Sequence, residues 1–202
     1  WLRNARTGGG ESPAKSFAGV LNLAYDLGPA IVGGTFYGGR AGQGVESAGG
    51  EAIDADVVIA EAHAQAVWQG LTVRAIYAMG WLGDARAISE LALEPGETLA
   101  PDQAVGSETR GGYVEIAYDV LPLFSAETVQ SLAPFVRYER VDLHADVPSG
   151  FERNGAFRND YWVAGLTYRP IPQIVLKGDF QRRSPDAGDA VDQLNVGAGF
   201  IF

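Results

Sequence analysis

A few residues have types that could support hydrolysis or phosphate binding. Asp142, His144 and Ser149 supply the carboxylate, imidazole and hydroxyl of a hydrolytic triad, but no nucleophile elbow surrounds the serine. The segment 34–40 is glycine-rich like a phosphate-binding loop, but it lacks the Lys-Ser/Thr pair that contacts phosphate, and a loop rather than a helix is expected after it. We therefore predict neither a triad nor a nucleotide site.

Metal binding is the other chemistry to consider. The two histidines, His63 and His144, are too far apart in sequence to match a metal-ligand spacing. Asp186, Asp189 and Asp192 could bind calcium, but they lack the spacing of a calcium loop, so a solvated acidic loop is expected. Cysteine is absent, which excludes a thiolate nucleophile and a cysteine-zinc site. We predict no enzyme, no metal and no cofactor.

Composition narrows the class of protein. The chain of 202 residues has a formal net charge of -10, which argues against nucleic-acid binding because such proteins need a basic face. It is 47% hydrophobic, too apolar for a disordered chain. No run of 18 apolar residues is present that could form a transmembrane helix. Of these classes, the composition leaves a folded protein without a transmembrane helix.

Alternation of apolar with polar or small residues is the dominant pattern. It is strictest at the C-terminus, where Leu194, Val196 and Ala198 alternate with Gln193, Asn195 and Gly197, among others. Such a period of two predicts a strand with one apolar face. The same pattern predicts nine strands, at 16–27, 30–39, 54–68, 71–80, 113–120, 132–139, 161–169, 174–181 and 193–202.

Strand length and connection length together indicate a membrane-spanning barrel. Most predicted strands have about 9–12 residues, which suits a tilted transmembrane strand. Aromatic residues lie near the strand ends, as in the girdles of membrane barrels: Tyr25, Trp68, Trp81, Tyr118, Tyr138, Trp162, Tyr168 and Phe202. Short connections (28–29, 69–70, 170–172) alternate with longer ones (40–53, 82–110, 142–160), and 121–131 and 184–191 are intermediate. The fold class predicted is all-β, an antiparallel transmembrane β-barrel.

The longest predicted connection, 82–110, contains a helical pattern. Asp84 is a candidate N-cap for a helix over 85–93, which Pro95 and Gly96 would end. Two interpretations are open. The helix lies on the loop surface, or the loop folds into the barrel lumen and narrows it.

In a barrel of this kind the apolar face meets lipid and the other face lines a polar interior. The predicted pore-lining residues are Glu61, His63, Gln65, Arg74, Glu115, Asp119, Arg137, Glu139, Lys177, Asp179 and Gln181. Both signs of charge occur, so these residues do not indicate selectivity for anions or for cations.

The last strand carries the clearest family resemblance. Its apolar residues Leu194, Val196, Ala198, Phe200 and Phe202 resemble the C-terminal signature by which Gram-negative outer-membrane barrels are recognised for assembly. The segments 131–139, 146–151 and 165–177 are similar to the C-terminal half of proteobacterial porins akin to the phosphate-selective type. This resemblance covers 109–202 well and 1–108 only in general terms.

The resemblance implies a bacterial outer-membrane porin, a passive diffusion channel for small hydrophilic solutes or ions. It also implies the partners: outer-membrane lipids, the barrel-assembly machinery, small solutes or ions and, in a trimer, further copies of the chain. Such porins are barrels of about 16 or 18 strands.

Strand parity adds an expectation about the extent of the barrel. Bacterial single-chain barrels have an even number of strands and both termini in the periplasm. If the last strand ends in the periplasm, nine strands place the start of the first one outside. We therefore expect 1–202 to be the C-terminal part of a single barrel domain whose N-terminal strands lie upstream. The alternatives are a complete small outer-membrane barrel with an adhesive, structural or enzymatic role, and a soluble lipocalin-like barrel with its apolar face inside.

Overall fold

The computed structural model describes residues 16–47, 49–91, 93, 97–125 and 127–201. Within these ranges the chain forms one sheet of nine strands. The strands are β1 (Ala18–Asp26), β2 (Ala30–Arg40), β3 (Asp56–Trp68), β4 (Leu71–Leu82), β5 (Glu108–Tyr118), β6 (Ser131–Asp146), β7 (Arg158–Ile171), β8 (Ile174–Pro185) and β9 (Val191–Phe200). One helix, α1 (Ala85–Glu90), and two 3₁₀ turns, Leu121–Leu123 and Gly155–Phe157, complete the elements. All nine predicted strands are confirmed.

Each strand pairs with the next strand of the chain, and every pairing is antiparallel. The result is a meander in which β1 and β9 are the two edges within the described residues. The strands run from 9 residues in β1 to 16 in β6, longer than most strands of soluble sheets. Four connections lie at one end of the strands, called here the short-turn end: 27–29, 69–70, 119–130 and 172–173, of which only 119–130 is long. The other four lie at the opposite end, called the loop end: 41–55, 83–107, 147–157 and the shorter 186–190.

No helix in the described ranges is long and apolar enough to span a bilayer.

Tight hairpins at the short-turn end depend on backbone conformations with positive φ. Gln69 (φ 48°) and Gly70 (φ 85°) form the two-residue turn between β3 and β4. Two consecutive positive φ angles give a turn whose twist matches that of the flanking strands. This turn keeps Trp68 paired with Leu71 and so sets the register of the whole hairpin.

The two faces of the sheet differ in exposure as well as in polarity. On the apolar face Val114 and Val136 are 48% and 50% exposed. On the polar face the Glu115 side chain is only 12% exposed, and Val163 is 2% exposed. Neighbouring side chains crowd together on the inside of a curved sheet, so the polar face is the concave one. The apolar face points outward.

A bulge against β5 lets β6 continue beyond its last pairing with β7, which joins Asp142 to Arg158. Glu108 pairs with Asp146 and Arg110 pairs with Asp142, so residues 143–145 lie opposite Thr109 alone. The sequence predicted β6 only over 132–139 and assigned 142–160 to a loop. That boundary was wrong, because the loop-end residues of β6 are held by pairing with Glu108 and by other loops rather than by a regular apolar face.

Candidate functional site

The concave face brings together most of the residues predicted to line a pore. The strand pairings place Glu61, His63, Gln65, Arg74, Glu115, Arg137, Glu139, Lys177, Asp179 and Gln181 on this face. Asp119 lies apart from them, just after β5, where its Oδ1 accepts hydrogen bonds from the backbone N–H groups of Leu121 and Leu132. Asp119 therefore holds the connection between β5 and β6.

A row of side chains crosses the concave face at one height. Arg74 stands directly between Gln65 on β3 and Glu115 on β5. Its Nε donates to Gln65 Oε1 at 3.2 Å, and its Nη1 donates to Glu115 Oε1 at 2.9 Å. Arg137 follows on β6, opposite Glu115, and its guanidinium lies 5.4 Å from the centre of the Tyr113 ring. These contacts fix the arginines against the wall.

The other charges of this face are also close to opposite charges. Arg137 Nε lies 3.7 Å from Glu139 Oε2, and Lys177 Nζ lies 4.0 Å from Asp179 Oδ2. His63 Nδ1 lies 2.7 Å from Glu61 Oε1. Among the predicted pore-lining residues on the strands, three cations (Arg74, Arg137 and Lys177) thus stand among four carboxylates (Glu61, Glu115, Glu139 and Asp179). The face is polar, nearly balanced in charge and tied by contacts within the wall.

Sequence patterning missed the apolar residues of the concave face. Phe135 and Val163 are 5% and 2% exposed there, and Lys177 Nζ lies 4.3 Å from the centre of the Phe135 ring. Gly165 makes this packing possible, because a Cβ at that position would lie 2.7 Å from a Phe135 ring carbon. The pairing of Gly165 with Phe135 is the feature that would have indicated this packing.

At the loop end, the long connections pack on one another. Ile53, Ala55, Ala85, Ser89, Ala104 and His144 are buried here, and we call them the loop cluster. Asp84 occupies the N-cap position of α1, but its carboxylate accepts from the backbone of Asp54 and Ala55 instead of from the helix. Ser89 links α1 to the end of the same connection, just before β5, since its Oγ accepts a hydrogen bond from Val105 N–H at 2.8 Å. These contacts of α1 are with other connections at the loop end, and they do not decide between the two interpretations of this loop.

The residues of the possible triad do not form a relay. Asp142 Oδ1 accepts from the backbone N–H of His144 at 3.1 Å, and its Oδ2 pairs with Arg153 Nη2 at 2.6 Å. The His144 ring accepts from Asn154 N–H at its Nδ1, at 3.2 Å. Ser149 contributes its backbone carbonyl to Arg86. These residues hold the loop end together. In the ranges that the structure describes, no cluster of three or more metal-ligating side chains occurs.

Burial of His144 makes the loop cluster sensitive to pH. The residue lies in the bulge of β6 at the loop end, past the membrane-spanning part of the strand, where desolvation lowers its pKa below the ordinary value of 6.5. The neutral ring therefore stabilises the folded cluster above pH 6.5, and this stability falls as the pH drops through and below that value. We expect limited proteolysis within 147–157 to accelerate between pH 7.5 and pH 5. A His144→Gln variant, which cannot be protonated, should lose most of this dependence, and an unchanged wild-type cleavage rate would contradict the prediction.

Comparison with known proteins bears on the fold. No family model matches the chain. A protein of Aquifex aeolicus (strain VF5), described only as uncharacterized, is 27% identical over 186 residues, which are 90% of this chain and 40% of that protein. A porin whose structure was refined at 1.8 Å resolution superposes with a TM-score of 0.52 at 17% identity, over 92% of this chain and 51% of the porin.

These comparisons identify the class of fold and the extent of the match. At such low identity the porin likeness shows the fold alone: the nine antiparallel strands have the arrangement of a porin-type β-barrel wall. The chain spans about two fifths of its relative from Aquifex aeolicus and half of the porin. The predicted fold class is confirmed.

Proposed function

We propose that the protein is a channel of the bacterial outer membrane for passive diffusion of small hydrophilic solutes or ions. The observation that carries this proposal is the division of the sheet into an exposed apolar convex face and a charge-paired concave face. In lipid every backbone polar group must be paired, which a closed barrel achieves. A barrel with this division meets hydrocarbon outside and encloses water. No catalytic role is proposed for the residues of the lumen.

The height of the apolar face supports a membrane location. On the outward face of β9, Phe200, Ala198, Val196 and Leu194 are followed by Asp192. The four apolar residues cover roughly 20 Å along the strand, or about 15 Å of membrane thickness at the usual barrel tilt, and Phe202 would add two further residues to this face. The apolar band of outer-membrane barrels is about 25 Å tall. The same residues, with Phe202 beyond the described range, are the proposed assembly signal.

We further propose that residues 1–202 are the C-terminal part of one barrel domain. The described sheet is open, with β1 and β9 at its edges, and it matches half of a porin chain. A barrel of about 16–18 strands would leave an aqueous channel. Further strands would complete the wall, and assembly into trimers is proposed on the resemblance to porins.

Planar-bilayer recording tests the channel proposal. The purified full-length protein, which includes the strands proposed to complete the wall, should produce stepwise increases in conductance in 1 M KCl after refolding in detergent. Heat-denatured protein is the control and should produce none. Protein that inserts into vesicles with its strand content intact, but conducts nothing, would reject the channel and favour a structural or adhesive barrel.

A further inference from the structure

The convex face carries a groove on β3–β6, close to the loop end. It encloses about 750 Å³. Small residues form its floor and two tyrosines flank it: Ala62, Ala64, Ala75, Gly112, Tyr77 and Tyr138. The register places all six on the outward, apolar face. Gly112 is required here, since a Cβ would come within 3.0 Å of the Tyr77 ring.

Arginines line the groove where it approaches the loop end. They are Arg110, Arg140 and Arg158, one on each of three consecutive strands, and Arg153 in the connection after β6. Arg140 binds Asp160 with two hydrogen bonds, from Nε at 2.6 Å and from Nη2 at 2.8 Å. Tyr138 donates to the same carboxylate at 2.7 Å. The groove thus changes along the strand axis from apolar to cationic.

In two ion pairs of this rim the arginine is the more exposed partner, whereas Asp186 is somewhat more exposed than its partner Arg158. The Arg140 side chain is 48% exposed and that of Asp160 is 24% exposed. Arg110 pairs with Glu108 at 2.9 Å, and their side chains are 45% and 19% exposed. Asp160 and Glu108 hold Arg140 and Arg110 from the side, and about half of each arginine side chain remains exposed. Guanidinium groups suit phosphate, which they bind with directional, charge-assisted hydrogen bonds.

The level of the rim corresponds to a membrane surface. Outward-facing cross-strand pairs Arg40–Asp56 and Arg182–Asp192 recur on other strands, as Arg140–Asp160 does here. Below this level the outward face is apolar, and charges there are costly in hydrocarbon but tolerated near the interface. The rim therefore lies at lipid headgroups and the groove lies beside acyl chains.

We propose that the groove is a binding site for one phosphate-bearing lipid, whose phosphate contacts Arg110 and Arg140 and whose acyl chain lies between Tyr77 and Tyr138. This inference rests on the proposed membrane location. The occupant is a lipid because the groove has the polarity of a lipid from end to end: cationic at headgroup level and apolar below it. Neither the floor nor the flanks offer a polar pattern for a protein partner.

Native mass spectrometry of the refolded protein tests the site. The probe is dimyristoyl phosphatidic acid, titrated against dimyristoylglycerol, which has the same chains and no phosphate. Wild-type protein should retain one phosphatidic acid molecule in preference to the glyceride. Arg110→Gln combined with Arg140→Gln should weaken retention at least about tenfold, because two charge-assisted hydrogen-bond donors are lost. Arg182→Gln, outward-facing and at the same level but outside the groove, should have no effect.

A second pair of variants tests the apolar part without altering any charge. Ala64→Trp fills the floor of the groove and should abolish preferential retention. Ala164→Trp places the same side chain on the outward face of β7, outside the groove, and should leave retention unchanged. Equal retention by these two variants would overturn the proposal. So would displacement of the lipid by inorganic phosphate at equal concentration, which would indicate an anion site alone.

Conductance separates this inference from the channel proposal. All four variants should conduct like wild type, because none of the altered residues lies on the concave face. Lipid retention without conductance in the wild type would reject the channel and leave the lipid site standing. Conductance without preferential retention would reject the lipid site only.

Discussion

Replacing Val136 by Arg should lower the free energy of unfolding in lipid vesicles by about 2–4 kcal/mol, the cost of a cation near the middle of a bilayer. Val136 lies on the outward face of β6, midway between Leu132 and Arg140, and is 50% exposed. The next residue, Arg137, is a cation on the same strand, but on the concave face. The chain thus tolerates arginine at this height on one face only. Denaturant titration in phosphocholine vesicles, followed by tryptophan fluorescence, measures the loss.

Gln181→Arg is the matched control for this prediction. Gln181 lies on the concave face in the same cross-strand row as Arg137, separated from it by Val163. A new arginine there would remain in water, so we expect a change within about 0.5 kcal/mol. Equal losses for the two variants would mean that both faces meet the same medium. A larger loss for Gln181→Arg would reverse the assignment of inside and outside, as the soluble barrel alternative requires.

Removing three cations from the concave face should make the proposed channel cation-selective. Arg74→Gln, Arg137→Gln and Lys177→Gln together leave the carboxylates of Glu115, Glu139 and Asp179 without their neighbouring positive charges. A narrow passage lined by one sign of charge concentrates ions of the opposite sign. The reversal potential in a tenfold KCl gradient should move toward the potassium equilibrium value, with a permeability ratio changed on the order of tenfold.

The control is the triple variant that neutralises the carboxylates instead of the cations. Glu115→Gln, Glu139→Gln and Asp179→Asn leave the same three cations without neighbouring carboxylates. The reversal potential should then move toward the chloride value. Shifts of the same sign in both triple variants would show that these side chains do not set the field in the passage. No shift in either would place the conducting path elsewhere.

The strands were predictable because their pattern is local. Alternation along β9 or β4 assigns each residue to one face, and a one-residue slip would exchange the faces, so the register follows as well. The end of β6 was not predictable by this means. Its loop-end residues Asp142 and His144 are buried by partners such as Arg153 and Asn154, which come from another segment of the chain.

The concave site was predictable as a set of residues but not as an arrangement. Period two places Arg74, Glu115 and Arg137 on the polar face, but it does not reveal that they stand side by side across three strands. That follows from pairing between strands, which is set by hairpin turns. The burial of Phe135 and Val163 among polar groups depends on sheet curvature, which no alternation pattern encodes.

The loop-end part of β6, from the bulge to Asp146, has a consequence for motion at the loop end. Its residues bind both neighbouring loops: Asp146 accepts from Ser107 N–H, and His144 is contacted by Arg153 and Asn154. Asn154 also binds Asp102, so the two loops are joined to each other as well. Backbone amides of 97–107 and 147–157 should therefore open to solvent together, as one cooperative unit rather than as two independent loops. The two loops would then move as one rigid unit held by β6.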